Sequence, residues 1–505
     1  MPTRRWHQKL EAQAQPFDPL GTFKYPSVER SQFAPIVALA RGMRPAEPAD
    51  HADLLVIGSG IAGCIAAMET RQYVPNARIL MVTEQNHPTI NTPALKQFGA
   101  GRLELDQLLA YPAGTEQQLG IQVIHQRATK LDPSGRQVYL ASGHTIRYRR
   151  LLLATGAKAN RLPASFPGHD FDGVLTLHTL ADYLDLRRRL PVSSSVVVIG
   201  GGYHAAETAM LLRHHRLRVT WLIRGRSLLP HLLNTVASDL LLRQVRRQGV
   251  EVRLETEAAG IVGRMGTVAG IVTADNEFIA CDLAIAAIGT QPDVDLVENT
   301  AVAVQARRGV RVNERLQTSA ADIYATGAVA AVLDPQTGQR DARGQWYFAV
   351  QQGRLAAAAI TGAPIPEGAA EGAVGNFWHA TQFDKLSVLM AGAPMLSERD
   401  HPDNEVLTNG SGSFYRRVVV RHGHLVGYLA VGSGQLGGLG IKRLIDERIN
   451  VEEIKRKLLT EDFDLRSFFT ERRLYALLTG EVGAVPRPTS SQSQQVAIPW
   501  QFQSV

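Results

Sequence analysis

Twice in this chain a short unbroken apolar run turns through a cluster of glycines and opens straight into a helical stretch. The first copy reads Leu54-Leu55-Val56-Ile57, then Gly58-Ser59-Gly60-Ile61-Ala62-Gly63, then a helical pattern over residues 64–70. The second reads Val196-Val197-Val198-Ile199, then Gly200-Gly201-Gly202-Tyr203-His204-Ala205-Ala206-Glu207, with a helix to residue 212. A strand ending in such a turn aims the unpaired amides of the next helix at whatever sits above it, and these bind a pyrophosphate together with the helix dipole. The first glycine permits the tight turn, the second lets the backbone approach the phosphates, and the third lets helix and strand pack closely. Ala205 replaces the third glycine in the second copy, which the motif tolerates with slightly looser packing. Two cradles 142 positions apart (200 − 58) imply two dinucleotides in one chain. The chemistry that employs two is hydride exchange between a nicotinamide and a flavin.

The strand after each cradle assigns its nucleotide. Residues 78–82 read as a second strand ending in Thr83-Glu84, which places a carboxylate 26 positions past Gly58 (84 − 58), ready to accept both hydroxyls of an adenosine ribose. The corresponding strand of the second copy, residues 218–223, ends in Arg224-Gly225-Arg226 instead. An acid there repels a 2′-phosphate, whereas arginine pairs with it bidentately, so NADPH is expected ahead of NADH. The plainer alternative is that both arginines are solvated loop residues.

Composition bounds the rest. The 505 residues are 45% hydrophobic and 20% charged, as in ordinary globular proteins, and suffice for two or three domains. The two cysteines, Cys64 and Cys281, are too far apart in sequence to form a local dithiol or zinc motif, and His214-His215 alone does not make a metal site. So few cysteines fit a reducing compartment, making the cytoplasm the default. Arg4 and Arg5 are not followed by an apolar segment, so no signal peptide is expected, and no apolar run is long enough for a transmembrane helix. The net charge of +7 would suit an acidic protein carrier or an anionic lipid surface; the basic residues are dispersed, without the aromatic interleaving that nucleic-acid binding favours. Residues 1–50 read as an extension, and residues 481–505, rich in Pro, Ser and Gln, as a flexible tail with Trp500 and Phe502 near its end.

Taken together, these motifs resemble the pyridine nucleotide-disulfide oxidoreductase superfamily of two-dinucleotide-binding-domain flavoproteins. The cysteine-free members are the most similar: ferredoxin and rubredoxin reductases and the flavin portion of the nitrite reductase large subunit. Further motifs appear in the family's order. Leu151-Leu152-Leu153-Ala154-Thr155-Gly156-Ala157 is similar to the segment closing the first pass through the FAD domain. Residues 283–288 with Gly289, Gln291 and Pro292 resemble the close of the NAD(P) insert, and Ile323-Tyr324-Ala325-Thr326-Gly327 the return strand. The resemblance implies an α/β fold of two Rossmann-like domains, the NAD(P) domain inserted in the FAD domain, plus a C-terminal α+β interface domain. It divides the chain into a first FAD-domain segment (51–178), the NAD(P) domain (179–307), a second FAD-domain segment (308–362) and the interface domain (363–480), the last often a homodimer contact. In that last region a hairpin over 416–421 and 425–430 and helices over 441–448 and 451–459 are expected, with Lys455, Arg456 and Lys457 facing an acidic carrier or simply solvent.

The resemblance also implies a site. FAD and NADP (or NAD) are the cofactors; NAD(P)H is the donor, and a ferredoxin- or rubredoxin-like carrier or another redox subunit is the acceptor. Lys96, Tyr203 and Glu207 fall near the reacting rings, Tyr203 gating the nicotinamide pocket and Glu207 approaching the nicotinamide. Two departures stand out. Ala328 follows Gly327 where the family has an aspartate for the flavin ribityl chain, and Thr92 stands where it has an arginine near the flavin phosphates, with Lys96 nearby as a substitute charge. Losing an ionic hydrogen bond costs about 1.5–3 kcal/mol, so weak FAD binding is expected. Two rival readings stay open: a membrane-associated quinone reductase, using Phe468, Phe469, Leu474, Tyr475, Leu477 and Leu478 with Arg472 and Arg473 as an interfacial helix, and a degenerate flavoprotein acting as scaffold or redox sensor.

Overall fold

The computed structural model describes residues 50–334, 337–365, 375–383, 385–433, 437–461 and 463–470. Among these, the residues up to Asn376 form one compact unit and those from Phe377 a second. Arg472, Arg473, Leu474, Tyr475, Leu477, Leu478, Trp500, Phe502 and the expected N-terminal extension lie outside the described residues.

The larger unit holds a mixed seven-stranded sheet, whose Thr145–Leu153 strand continues antiparallel into Gln137–Leu140 and Ala128–Asp132, and a parallel five-stranded sheet, each built on one glycine turn. The apolar run His51–Ile57 lies between Ile79–Thr83 and Thr145–Leu153, pairing parallel to both. Gln122–His125 flanks Ile79–Thr83, and the returning strand Ile323–Ala325 pairs with Leu151, Leu152 and Leu153. Leu55, Val56, Leu80, Leu152 and Ala325 are fully buried because helices or loops cover both faces, which is why these strands read as continuous apolar runs rather than alternating ones. Each such Leu, Ile or Val contributes about 1.5–3 kcal/mol by burial.

The second sheet repeats the plan. Its order is Glu251–Arg253, Arg218–Leu222, Ser195–Ile199, Leu283–Ala286, Val174–Leu175, all parallel. The expected strand over 283–288 ends at Ala286, two residues early, so that the chain can turn past Gly200. A three-stranded antiparallel sheet, Ala258–Arg264, Thr267–Thr273 and Phe278–Ala280, fills the connection before Leu283. Two short antiparallel strands, Ala157–Ala159 and Thr290–Pro292, form the double crossing between the two sheets.

The second unit is a five-stranded antiparallel sheet in the order Trp378–Phe383, Leu386–Gly392, His424–Gly432, Tyr415–Arg421, Asn404–Gly410, with the helix Gly438–Asp446 packed on it. The hairpin turning at His422-Gly423 is present. The helix expected over 451–459 is not: these residues form successive turns ending in the single 3₁₀ turn Lys457–Leu459. The Val451 amide donates to Gly423 of the hairpin, and Ile454, Leu458 and Leu459 sink into the core, so tertiary anchoring overrides regular winding. Lys455, expected on an exposed basic face, is instead held by Glu405 at 2.6 Å and Glu452 at 2.5 Å.

Candidate functional site

The two glycine turns are built by the same contact. Gly58 has φ +108°, and a Cβ there would lie 2.1 Å from the Ala154 carbonyl oxygen; Gly200 has φ +140°, and a Cβ there would lie 2.2 Å from that of Ala287. In both, the neighbouring parallel strand runs so close that only glycine fits. Gly63 is closed in as well, its Cβ meeting the Gly58 carbonyl at 2.4 Å, while Ala205 in the equivalent place is fully buried with its methyl accommodated.

The middle glycines behave in the opposite way. Nothing lies within 4 Å of a Cβ built on Gly60 or Gly202. Each is the N-cap of the following helix, Ile61–Tyr73 or Tyr203–His214, and neither helix start has a side-chain cap or an acidic residue in its first turn. Uncapped amides opening onto free space fit a dinucleotide pyrophosphate in both places. The flavin side offers a further sign of fit, since the Thr326 hydroxyl oxygen on the return turn is fully buried with no hydrogen-bond partner.

Around the first cradle, Ser59 donates to Thr83 at 2.8 Å, and the Thr89 hydroxyl donates to the Ser59 carbonyl at 3.0 Å. Ile61 and Ala62 are buried against Ala349 and Val350, which lie on the helix Trp346–Thr361. Glu84 is exposed at the strand end, with Arg127 as an ion-pair partner 3.9 Å away. Thr155 donates to the Asp293 carbonyl at 2.6 Å, and the Gly156 carbonyl accepts from the Asp293 amide at 2.9 Å, so this segment fixes the double crossing. Gly289 belongs to the same crossing, its carbonyl accepting from the Asn160 amide. At the return turn, Gly327 (φ +75°) donates its amide to the buried Gln352 side chain at 2.7 Å; Ala328 follows without a polar side chain. Cys64 is buried beside Met68 and Glu116, and burial holds its thiol protonated by raising its pKa. It is not a reactive thiolate.

Lys96 lies on the short helix Leu95–Gly99, which follows the Thr92–Ala94 turn. The lysine makes an ion pair with Glu207 of the second glycine-turn helix. The lysine expected to stand in for the phosphate-side arginine missing at Thr92 is thus paired with a carboxylate, and Thr92 itself is exposed. A second bolt joins the same helices, His215 Nε2 standing 3.0 Å from the Gly99 carbonyl. Gly99 has no side chain because Tyr183 fills that space, a Cβ there falling 2.7 Å from the ring. Tyr203, beside Glu207, has its phenol pKa pushed up to about 12, by burial first and the carboxylate second, and so stays protonated. His204 Nε2 contacts the Leu177 carbonyl at 2.6 Å, and burial together with the Lys96 cation lowers its pKa. That ring nitrogen is thus engaged with the protein backbone.

At the far end of the second cradle, Arg224 pairs with Glu257 at 3.6 Å and Arg226 with Glu255 at 2.8 Å. Both arginines are exposed, and each has a glutamate as its ion-pair partner. Trp221, fully buried, donates its indole N–H to the Gly200 carbonyl at 2.7 Å. Trp221 thus braces the second glycine turn from a strand interior, and Gln352 braces the return turn at Gly327 from a helix interior. Among the described residues no helix is long and apolar enough to cross a membrane.

Comparison with known proteins agrees with this geometry. The profile of the family described as pyridine nucleotide-disulphide oxidoreductase matches residues 52–353. Over 319 residues the chain is 32% identical to the biphenyl dioxygenase system ferredoxin–NAD(+) reductase component of Paraburkholderia xenovorans, covering 62% of this chain and 76% of the relative. It is 29% identical over 315 residues to the rubredoxin–NAD(+) reductase of Pseudomonas putida, covering 62% and 81%. In fold it is similar to putidaredoxin reductase in its covalent complex with putidaredoxin, with a TM-score of 0.74 at 23% identity over 84% of this chain and 99% of that one. The chain belongs to the pyridine nucleotide-disulphide oxidoreductase family, as an FAD-dependent oxidoreductase of NAD(P)H.

Proposed function

We propose that this chain is a reductase that takes electrons from NAD(P)H and delivers them to a small protein carrier of the ferredoxin or rubredoxin type. Bound FAD would accept the donor's hydride and pass two electrons on singly, a chemistry that belongs to the cofactor. The chain supplies position. Gly58, Ser59, Gly60, Ile61, Ala62 and Gly63 cradle the FAD pyrophosphate, Glu84 accepts the adenosine ribose hydroxyls, and Thr155, Gly156, Gly327 and Ala328 border the flavin. Gly200, Gly202, Tyr203, His204 and Ala205 cradle the nicotinamide dinucleotide, with Gly289 at the crossing and Arg224 and Arg226 biasing the choice toward NADPH.

The observation that carries this reading is the Lys96–Glu207 pair. It joins the helix Leu95–Gly99, which follows the Thr89 contact to Ser59 by a few residues, to the helix that starts at the second cradle, and this supports two dinucleotides meeting between the cradles. Tyr203, the first residue of that second helix, stays a neutral phenol. No dithiol is present among the described residues to divert electrons to a disulfide, since both cysteines are free and buried. The relatives named above act in ferredoxin- and rubredoxin-linked systems, which supports a carrier as acceptor. A cytoplasmic site, where reduced nicotinamide dinucleotides are held, suits the proposal.

The test is spectroscopic. The purified chain should show flavin bands that bleach on anaerobic NADPH addition and recover when oxidised ferredoxin or rubredoxin is added. A colourless chain that takes up no FAD would instead indicate a degenerate scaffold.

A further inference from the structure

We propose that Arg127 clamps the adenosine end of the FAD and that Asp295 positions it there; this rests on the assignment of FAD to the first cradle. Arg127 comes two residues after the strand Gln122–His125, which lies beside Ile79–Thr83, so its loop neighbours the one carrying Glu84. The two loops are pinned together by His125 Nδ1, 2.7 Å from the Gln85 carbonyl.

Arg127 stands between two carboxylates and saturates neither. Its Nε is 3.9 Å from Glu84 and its Nη2 is 3.7 Å from Asp295, both beyond direct hydrogen-bond distance, and its side chain is 60% exposed. Asp295 is held in turn by Lys158 at 2.5 Å, a contact that keeps the Asp295 carboxyl below its ordinary pKa and hence ionised. Lys158 also binds Asp293 at 2.9 Å. Arg127 is therefore a guanidinium tethered loosely by a fixed charge beside the carboxylate assigned to the ribose.

A guanidinium is planar and weakly hydrated, and it stacks on aromatic faces in a way an ammonium does not. Adenine is the aromatic group attached to the ribose that Glu84 would hold. With Thr92 and Ala328 in place of two polar anchors at the phosphates and ribityl chain, an added contact at the adenosine end restores affinity where this chain has a cation to give. Cation–aromatic contacts range from exposed to desolvated strengths, corresponding to roughly 3- to 30-fold in binding.

Titrating the full-length apoprotein with FAD by flavin fluorescence tests the assignment. The Arg127→Ala chain should bind FAD about tenfold more weakly than wild type, Arg127→Lys should recover only a fraction of the loss, and Asp295→Asn should cost about threefold. Melting temperatures of the apoproteins should not change. FMN, which lacks the adenosine, should be held equally by wild type and Arg127→Ala. Unchanged FAD affinity in Arg127→Ala, full rescue by lysine, or an equal loss measured with FMN would overturn the clamp. A wild-type chain that takes up no FAD would overturn the cradle assignment itself and the clamp with it.

Discussion

The two cradles share one backbone plan and differ in what surrounds them. In both, a parallel strand approaches the first glycine to within about 2 Å of a would-be Cβ, and in both the middle glycine opens on empty space. The first helix start is sheathed: Ile61 and Ala62 are buried, and the covering helix comes so near that a Cβ on Gly353 would lie 2.7 Å from the Ala62 carbonyl. The second helix start is more open, with Tyr203, His204 and Glu207 half-buried in its first turns. A sheathed cradle suits a resident dinucleotide and an open one suits a dinucleotide that must come and go. The comparison teaches that the motif sets where phosphates bind, while the packing around it sets how long they stay.

The sharpest way to break the comparison is to clog each turn separately. Gly58→Ala forces a Cβ against Ala154 at positive φ, and Gly200→Ala does the same against Ala287. Left-handed strain of about 1–2 kcal/mol plus overpacking of about 1–3 kcal/mol corresponds to a loss on the order of 100-fold or more. Gly58→Ala should purify colourless. Gly200→Ala should purify yellow, with its bands no longer bleached by NADPH at concentrations that saturate wild type. If Gly200→Ala also strips the flavin, the two cradles are not independent.

Next in size is the link between them. Lys96→Met or Glu207→Gln removes the pair that bolts the helix Leu95–Gly99 to the second cradle. Misplacing reacting groups by about an ångström costs on the order of 10- to 100-fold, so stopped-flow flavin bleaching should slow by that factor while flavin content stays at the wild-type level. A loss of flavin with no change in rate would show the pair to be a prop for the first cradle alone.

A smaller and more selective effect is expected at the middle glycines. Gly60→Ala and Gly202→Ala meet no atom within 4 Å, so thermal stability without ligand should not fall. Each methyl would occupy space the phosphates need, and affinity should drop by roughly tenfold, for FAD in the first and for NAD(P)H in the second. Equal losses of both ligands in either variant would contradict the division of labour.

Much of this architecture is legible in the sequence. The glycine spacing locates both cradles because a close strand approach and positive φ leave glycine no substitute, and the continuous apolar runs identify buried parallel strands. The residues that meet across the chain are less so. Resemblance places Lys96 and Glu207 near one site, but their pairing joins positions 111 apart, and no local pattern encodes it. Trp221 sits in an apolar run and Gln352 next to a second glutamine, and nothing local in the sequence names the turn that either one braces. The helix expected over 451–459 is absent because periodicity reports which face is buried, not whether a hairpin carbonyl has already taken the first amide.

The smallest effect concerns the arginines, and its sign distinguishes two views of the second cradle. Free, Arg224 and Arg226 would place two cations at a 2′-phosphate; in the structure each faces a glutamate, so the local charge is balanced. Exposed ion pairs contribute only about 0.2–1 kcal/mol, so a bound phosphate can displace Glu255 or Glu257, at a cost that trims any preference for NADP(H). Removing both arginines as alanines should therefore lower the NADP+ to NAD+ affinity ratio by only about three- to fivefold. Glu255→Gln should move the ratio the other way, because it frees Arg226 without adding bulk. Equilibrium binding of the two oxidised dinucleotides to each variant measures both shifts. If the ratio falls in Glu255→Gln, that carboxylate is itself reading the ribose hydroxyls, and the second cradle is an NADH site whose acid comes from the strand beyond the usual one.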